Sequence, residues 1–230
     1  NIHINVVCWF GMCCYRQDAM DWAAMNGHLD VCSFLHYNRQ EGCTTAAMDL
    51  AAREGHLQVL EFLHAHRPEG ATPRALAWAA ARGHLAVVEW LHWHRDDGPP
   101  PGALDAAAEN GHLNVVMFLH KYRPNDQVTT NAMDLAAKEG HLKVVEFLHK
   151  ERREGATYKA MDGAAGNGHL NVAEWLHAKR SEGCTERAMD LAARGGHLEM
   201  VEWLYHRWTA TAAAGTAAAA GTAAAAGTAA

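Results

Sequence analysis

Two hydrophobic patterns alternate along the chain, and both have helical spacing. In one, Leu57, Leu60 and Leu63 recur at three-residue steps with Val59 and Phe62 beside them, which predicts a short amphipathic helix. In the other, drawn at about 100° per residue, Ala47, Met48, Leu50, Ala51 and Ala52 fall on one side and positions 45, 46, 49 and 53 fall opposite. Thr44 stands where a hydroxyl accepts a bond from a first-turn amide, and Gly55 where a left-handed residue closes the helix. The pattern predicts a first helix between Thr44 and Gly55 and an antiparallel second helix from Leu57 to Arg67.

The same text then repeats. Gly-His-Leu begins at Gly27, Gly55, Gly83, Gly111, Gly140, Gly168 and Gly196, at intervals of 28, 28, 28, 29, 28 and 28. Thr72, Thr129, Thr157 and Thr185 hold the place of Thr44, and Pro73 follows Thr72 where a missing N–H costs least. Glu41-Gly42, Glu69-Gly70, Asp97-Gly98, Glu154-Gly155 and Glu182-Gly183 read as turns between units. A two-helix unit this short cannot bury its apolar face alone, so each must stack on its neighbours. The expected fold is an all-α helical-repeat solenoid of seven helix-turn-helix units over residues 15–208. Residues 1–14 read as the second helix of a truncated unit, since His3 to Phe10 parallels His112 to Leu119. With no initial Met and no polar cap at either end, the chain reads as a fragment or processed product. Residues 209–230 hold little but Ala, Gly and Thr, with Gly215, Gly221 and Gly227 six apart, and are expected to form a low-complexity tail.

The string Ala-Met-Asp-Leu-Ala-Ala-x-x-Gly-His-Leu-x-Val-Val-Glu-Phe/Trp-Leu resembles the ankyrin repeat, whose signature runs Thr-Pro-Leu-His-x-Ala-Ala-x-x-Gly-His-Leu-x-Val-Val. The resemblance covers residues 3–207 and departs from the signature in two ways. Ala47-Met48-Asp49 and its equivalents replace Pro-Leu-His, and the period is short of the usual ankyrin length of about 33 residues. The missing residues fall where ankyrin repeats carry a β-hairpin finger, so the resemblance implies stacked helix pairs without long fingers. The chain is similar to short-period ankyrin proteins of eukaryotic microbes such as oomycetes.

Composition narrows the function. A net charge of −6 argues against a nucleic-acid partner, and no window approaches the apolar length of a membrane span. With no secretory signal either, the six Cys are expected to be reduced and the protein cytoplasmic. Cys43 and Cys184 alternate with Ala71 and Ala156, and Cys32 replaces a Val, so these are expected to pack; Cys8, Cys13 and Cys14 form no Cys-x-x-Cys pair.

The 17 His invite a metal reading. Seven follow the repeated Gly, where the ring can bond backbone groups at the turn, and His36, His64, His92, His120, His149 and His177 follow a Leu of the second helix. His64/His66 and His92/His94 lie two apart near helix ends, but nothing fixes a third ligand, so neither metal nor cofactor is expected. Phe34, Phe62, Trp90, Phe118, Phe147, Trp175 and Trp203 are expected to form an inter-repeat core ladder. Arg39, Arg67, Arg95, Arg123, Arg152, Arg180 and Arg207 each close a second helix, which helix-dipole complementarity explains. There is no Gly-x-Ser-x-Gly, Gly-Lys-Ser or His-Glu-x-x-His motif, and Ser occurs only at Ser33 and Ser181, so an enzyme is not expected.

The first helices carry the binding expectation. Asp49 recurs as Asp21, Asp105, Asp134, Asp162 and Asp190, with Ala77 the exception, and is expected to pair along its own helix as Asp49–Arg53, Asp134–Lys138 and Asp190–Arg194. Around it the residues vary: Arg53, Arg74, Glu109, Asn131, Lys138, Tyr158, Lys159, Glu186, Arg187 and Arg194 are the candidate partner-binding residues. In a repeat array constancy marks packing and variation leaves room for recognition. The expected function is a non-enzymatic scaffold that binds a protein partner through this face. End-to-end self-association through uncapped solenoid ends is the alternative.

Overall fold

The computed structural model describes residues 18–95, 102–123 and 129–207. The expectations for residues 1–14, the Asp97-Gly98 turn and the 209–230 tail lie outside that range, as do Cys8, Cys13 and Cys14. The chain divides into two compact units, Asn1–Val128 and Thr129–Ala230. The first holds α1 (Asp18–Met25), α2 (Leu29–Asn38), α3 (Thr45–Glu54), α4 (Leu57–His66), α5 (Arg74–Ala81), α6 (Leu85–His94), α7 (Ala103–Glu109) and α8 (Leu113–Tyr122). The second holds α9 (Asn131–Lys138), α10 (Leu142–Glu151), α11 (Tyr158–Gly166), α12 (Leu170–Lys179) and α13 (Arg187–Gly195), followed by a helical stretch, 198–207. Among the described residues there is no strand. First helices pack on first helices, α1 on α3 on α5 on α7 and α9 on α11 on α13, and those from α1 to α11 each pack on the second helix of their own pair. The fold is an all-α helical-repeat solenoid.

Local chemistry sets the helix ends as the sequence predicts. The Oγ1 of Thr44 accepts the Ala46 amide at 3.1 Å, and Thr72, Thr129, Thr157 and Thr185 do the same two residues on. The other end closes in a Schellman turn: Gly55 N–H donates to Ala52 O at 3.2 Å and His56 N–H to Ala51 O at 2.9 Å. This pair of bonds recurs in every Gly-His-Leu, and the glycines have φ between 72° and 85°. The core is then simple. Ala47, Ala51 and Ala52 are fully buried, and their small side chains let first helices lie close together, while Val59, Leu60 and Leu63 fill the layer between first and second helices.

Three expectations change. Except for the exposed Asp190, the repeated Asp does not face solvent, and no pairing along its own helix is seen among the described residues: Asp21, Asp49, Asp134 and Asp162 are only 5–8% exposed. Each accepts two bonds from the capping Thr of the next unit. Thr72 donates its N–H to Asp49 Oδ1 at 2.7 Å and its hydroxyl to Oδ2 at 2.6 Å. Thr44 does so to Asp21, Thr157 to Asp134 and Thr185 to Asp162. Arg53 and Lys138 pair instead with the Glu that follows each, at 2.7 Å to Glu54 and 2.9 Å to Glu139. A helical wheel places Asp49 opposite the alanines, but it does not know that a neighbouring repeat covers that side too.

The aromatic series is not a core ladder. Phe62, Trp90, Phe147, Trp175 and Trp203 are half-buried and Phe34 is exposed; Phe118 alone is buried. They form an edge layer with histidines of the preceding unit: His36 meets Phe62, His64 meets Trp90, His149 meets Trp175 and His177 meets Trp203, edge to face at ring distances of 5.0–5.8 Å.

The Arg series also does more than oppose a dipole. Arg39, Arg67 and Arg180 fold back onto Glu41, Glu69 and Glu182 two residues on. Arg123 and Arg180 reach the ring Nδ1 of His92 and His149 in the unit before, at 3.0 and 3.2 Å. The guanidinium of Arg67 occupies the space a Cβ on Gly42 would need.

Candidate partner-binding face

The histidine of Gly-His-Leu is an inter-repeat packing piece. Its ring lies on the glycine of the preceding unit, so that a Cβ on Gly27, Gly55, Gly83 or Gly140 would come within 2.5–2.6 Å of the ring of His56, His84, His112 or His169. The Nε2 of His112 also bonds Ala81 O at 3.1 Å, in the backbone of the preceding unit. Burial holds His84 and His169 below the ordinary imidazole range. The paired histidines are likewise occupied. His66 stacks on Phe62 at 4.4 Å and His94 on Trp90 at 4.3 Å, each with Nδ1 at 2.8 Å from the carbonyl of that aromatic. Among the described residues no three His, Cys, Asp or Glu side chains converge. Cys32 and Cys43 are buried as expected, and burial pushes both thiols up to about 11.

With the frame consumed by packing, the candidate binding residues lie on or beside the first helices. Arg74, Asn131, Lys138, Tyr158, Lys159, Glu186, Arg187 and Arg194 are exposed, and Arg53 and Glu109 are half-buried. The structure gathers some of them. In the first unit, a groove of about 620 Å³ opens between α3 and α5, lined by Thr45, Leu50, Pro73, Arg74 and Trp78 among others. Arg53 borders it, with its guanidinium 5.9 Å from the Trp78 ring, Nη2 at 3.7 Å from Met25 Sδ and Nε on Glu54. That hydrogen bond from Arg53 holds the Glu54 carboxyl below the usual range. In the second unit Lys138 and Arg194 line a groove of about 310 Å³ with Asp162, Gly163 and Gly166. Tyr158, Lys159, Glu186 and Arg187 stand at or beside the N-terminal ends of α11 and α13, outside that groove. Glu109 and Asn131 line neither groove.

Family models for ankyrin repeats match residues 20–99, 76–162 and 156–204. The chain belongs to the ankyrin-repeat family. Its ankyrin repeats are of a family that generally mediates protein–protein interaction and is typically non-enzymatic. No curated protein matches the chain. Among the described residues no ankyrin helix is long and apolar enough to cross a membrane.

Two residues of this ankyrin face escape the helical-wheel argument. Trp22 and Trp78 occupy the position of Leu50, assigned to the core side, yet Trp22 is 60% exposed and both Leu50 and Trp78 are half-buried. The signal was available in the repeat. That position runs Trp22, Leu50, Trp78, Ala106, Leu135, Gly163, Leu191, and a close-packed site does not accept both Trp and Gly.

Proposed function

We propose that this ankyrin array is a non-enzymatic scaffold whose first-helix face binds a protein partner. One observation carries the reading. Most constant residues of the repeat are used in packing, in the Asp–Thr bonds, the Gly–His contacts and the Ala and Leu core, while the exposed residues of the first helices vary from unit to unit. Tyr and Arg, at Tyr158 (48% exposed), Arg74 and Arg187, are residue types that commonly anchor interfaces. Cys32 and Cys43, buried as packing residues and not joined in a disulfide, suit a reducing compartment such as the cytoplasm. The test is capture of a partner from native extract. Replacing Tyr158 and Arg187 with Ala should weaken it with melting unchanged, whereas Gln58→Ala and Lys143→Ala on the second helices should not. Loss of capture with the second pair alone moves the interface to the second-helix side. Mass that grows with concentration in light scattering favours end-to-end assembly instead.

A further inference from the structure

The first-unit groove has a chemistry of its own. Its floor and walls are apolar at Leu50, Pro73 and Trp78, and its charged rim is cationic, at Arg74 and the bordering Arg53. The nearby acids are already committed. Both oxygens of Asp49 accept from Thr72, and Glu54 is shared between Arg53 at 2.7 Å and Arg82 at 3.2 Å. Arg74 is exposed and has no ion pair among the described residues, so its guanidinium fork remains open to a carboxylate. In a chain of net charge −6 this is a local reversal of sign. The second-unit groove lacks the combination: Lys138 and Arg194 are basic, but Gly163 stands where Trp78 does, leaving no aromatic body beside the charges.

We propose that the groove between α3 and α5 seats an acidic peptide segment of a protein partner, with a carboxylate on Arg74, the bordering Arg53 adding positive charge, and an adjacent apolar side chain against Trp78. Charge complementarity selects this occupant, since a basic or uncharged segment would leave the Arg74 fork unpaired in a groove that also holds the Trp78 ring. The proposal rests on the reading that the first-helix face binds the partner, and it names what that partner presents.

The experiment selects a random-peptide phage library on the full chain and measures the recovered consensus, fluorescein-labelled, by anisotropy. The expected consensus places Asp or Glu next to Leu, Ile, Phe or Trp. Its affinity should fall about tenfold in Arg74→Gln, further in Arg53→Gln/Arg74→Gln, and steeply with added salt, while Lys143→Gln, on a second helix, leaves it unchanged. Melting curves of the Arg74→Gln protein should overlay the parent, because that side chain is exposed. A neutral or basic consensus, an acidic one indifferent to Arg74→Gln, or no enrichment overturns the proposal. Two of these outcomes differ in what else they remove. Neutral peptides lost in Trp22→Ala or Trp78→Ala leave the first-helix face standing and refute only its acid preference. Peptides indifferent to Trp22, Trp78 and Arg74 but lost in Tyr158→Ala/Arg187→Ala refute the groove alone, and peptides indifferent to all of these changes take both readings down.

Discussion

The second helices of the two units are alike inside and unlike outside. Val59, Leu60 and Leu63 of α4 are matched by Val144, Val145 and Leu148 of α10, all buried. What they show to solvent differs. In the first unit Phe34, Tyr37 and Trp93 are 63–68% exposed, and Met117 and Tyr122 join them; in α10 and α12 the exposed residues include Lys143, Glu146, Lys150, Glu151, Glu174 and Lys179 but no Phe, Tyr or Trp, although the last helical stretch exposes Tyr205. At one position α4, α6, α10 and α12 carry Glu61, Glu89, Glu146 and Glu174, and α8 carries Met117. One repeat therefore supports an aromatic surface and a charged one on the same buried set. The difference teaches that stability resides in inter-repeat packing, and that the outer faces change without disturbing it. If that is correct, equivalent changes inside the two units should cost the same, and outside changes should cost little.

The largest expected effect tests the inside. Gly55→Ala and Gly140→Ala, one in each unit, should each lose about 2–4 kcal/mol in chemical denaturation, from left-handed strain plus overpacking against His84 and His169. Gly70→Ala, at φ 70° with nothing within 4 Å of the added methyl, should lose only the strain, about 1–2 kcal/mol. Equal losses at all three sites would mean that the histidine contact contributes nothing.

Next come the acid–threonine bonds. Asp49→Ala and Asp134→Ala should each cost about 1–3 kcal/mol, because the Thr72 or Thr157 amide then lacks its acceptor in a half-buried site. A loss below about 0.5 kcal/mol at either position, the level of an ordinary surface substitution, would show that water replaces the carboxylate.

A smaller effect is set by pH. The folded imidazoles of His84 and His169 lie below the ordinary value of 6.5. Below that value the unfolded chain takes up protons that these folded sites refuse. Their contribution is therefore complete above pH 6.5 and is lost as pH falls through the folded values. Asp49 has the opposite sign. Burial raises its carboxyl despite the Thr72 bonds, so its contribution is complete below the ordinary Asp range and fades as pH rises through its folded value. Melting temperature should fall as pH drops below 6.5, and His84→Gln should make that fall shallower; an unchanged slope would place the pH dependence elsewhere.

The smallest effect tests the outside. Met117→Glu, which gives α8 the residue its counterparts carry, should change stability by no more than about 0.5 kcal/mol, and Tyr37→Lys by no more than about 1 kcal/mol given its edge contacts with His36 and His66. Larger losses would make the aromatic surface part of the frame and end the comparison.

By itself the sequence determined the units. Helix ends were legible because Thr44 and Gly55 act within a few residues of themselves, through a hydroxyl on an amide and a backbone angle that only Gly tolerates cheaply. The buried Ala and Leu sets were legible from periodicity, and the candidate residues from their variation. Tertiary structure decided what faces what. Asp49 bonds a residue 23 positions away, and Trp78 is left half-exposed beside Arg53, because first helices are covered on two sides by neighbours that a single-helix projection omits. Even so, one trace of the Asp–Thr bond lies in the sequence. The unit that replaces Asp with Ala77 is followed by Pro100 where Thr would stand. Pro carries no N–H, so acceptor and donor vanish together. Which side chains share a groove has no such trace, since it depends on distances between helices and not on the order of residues within one.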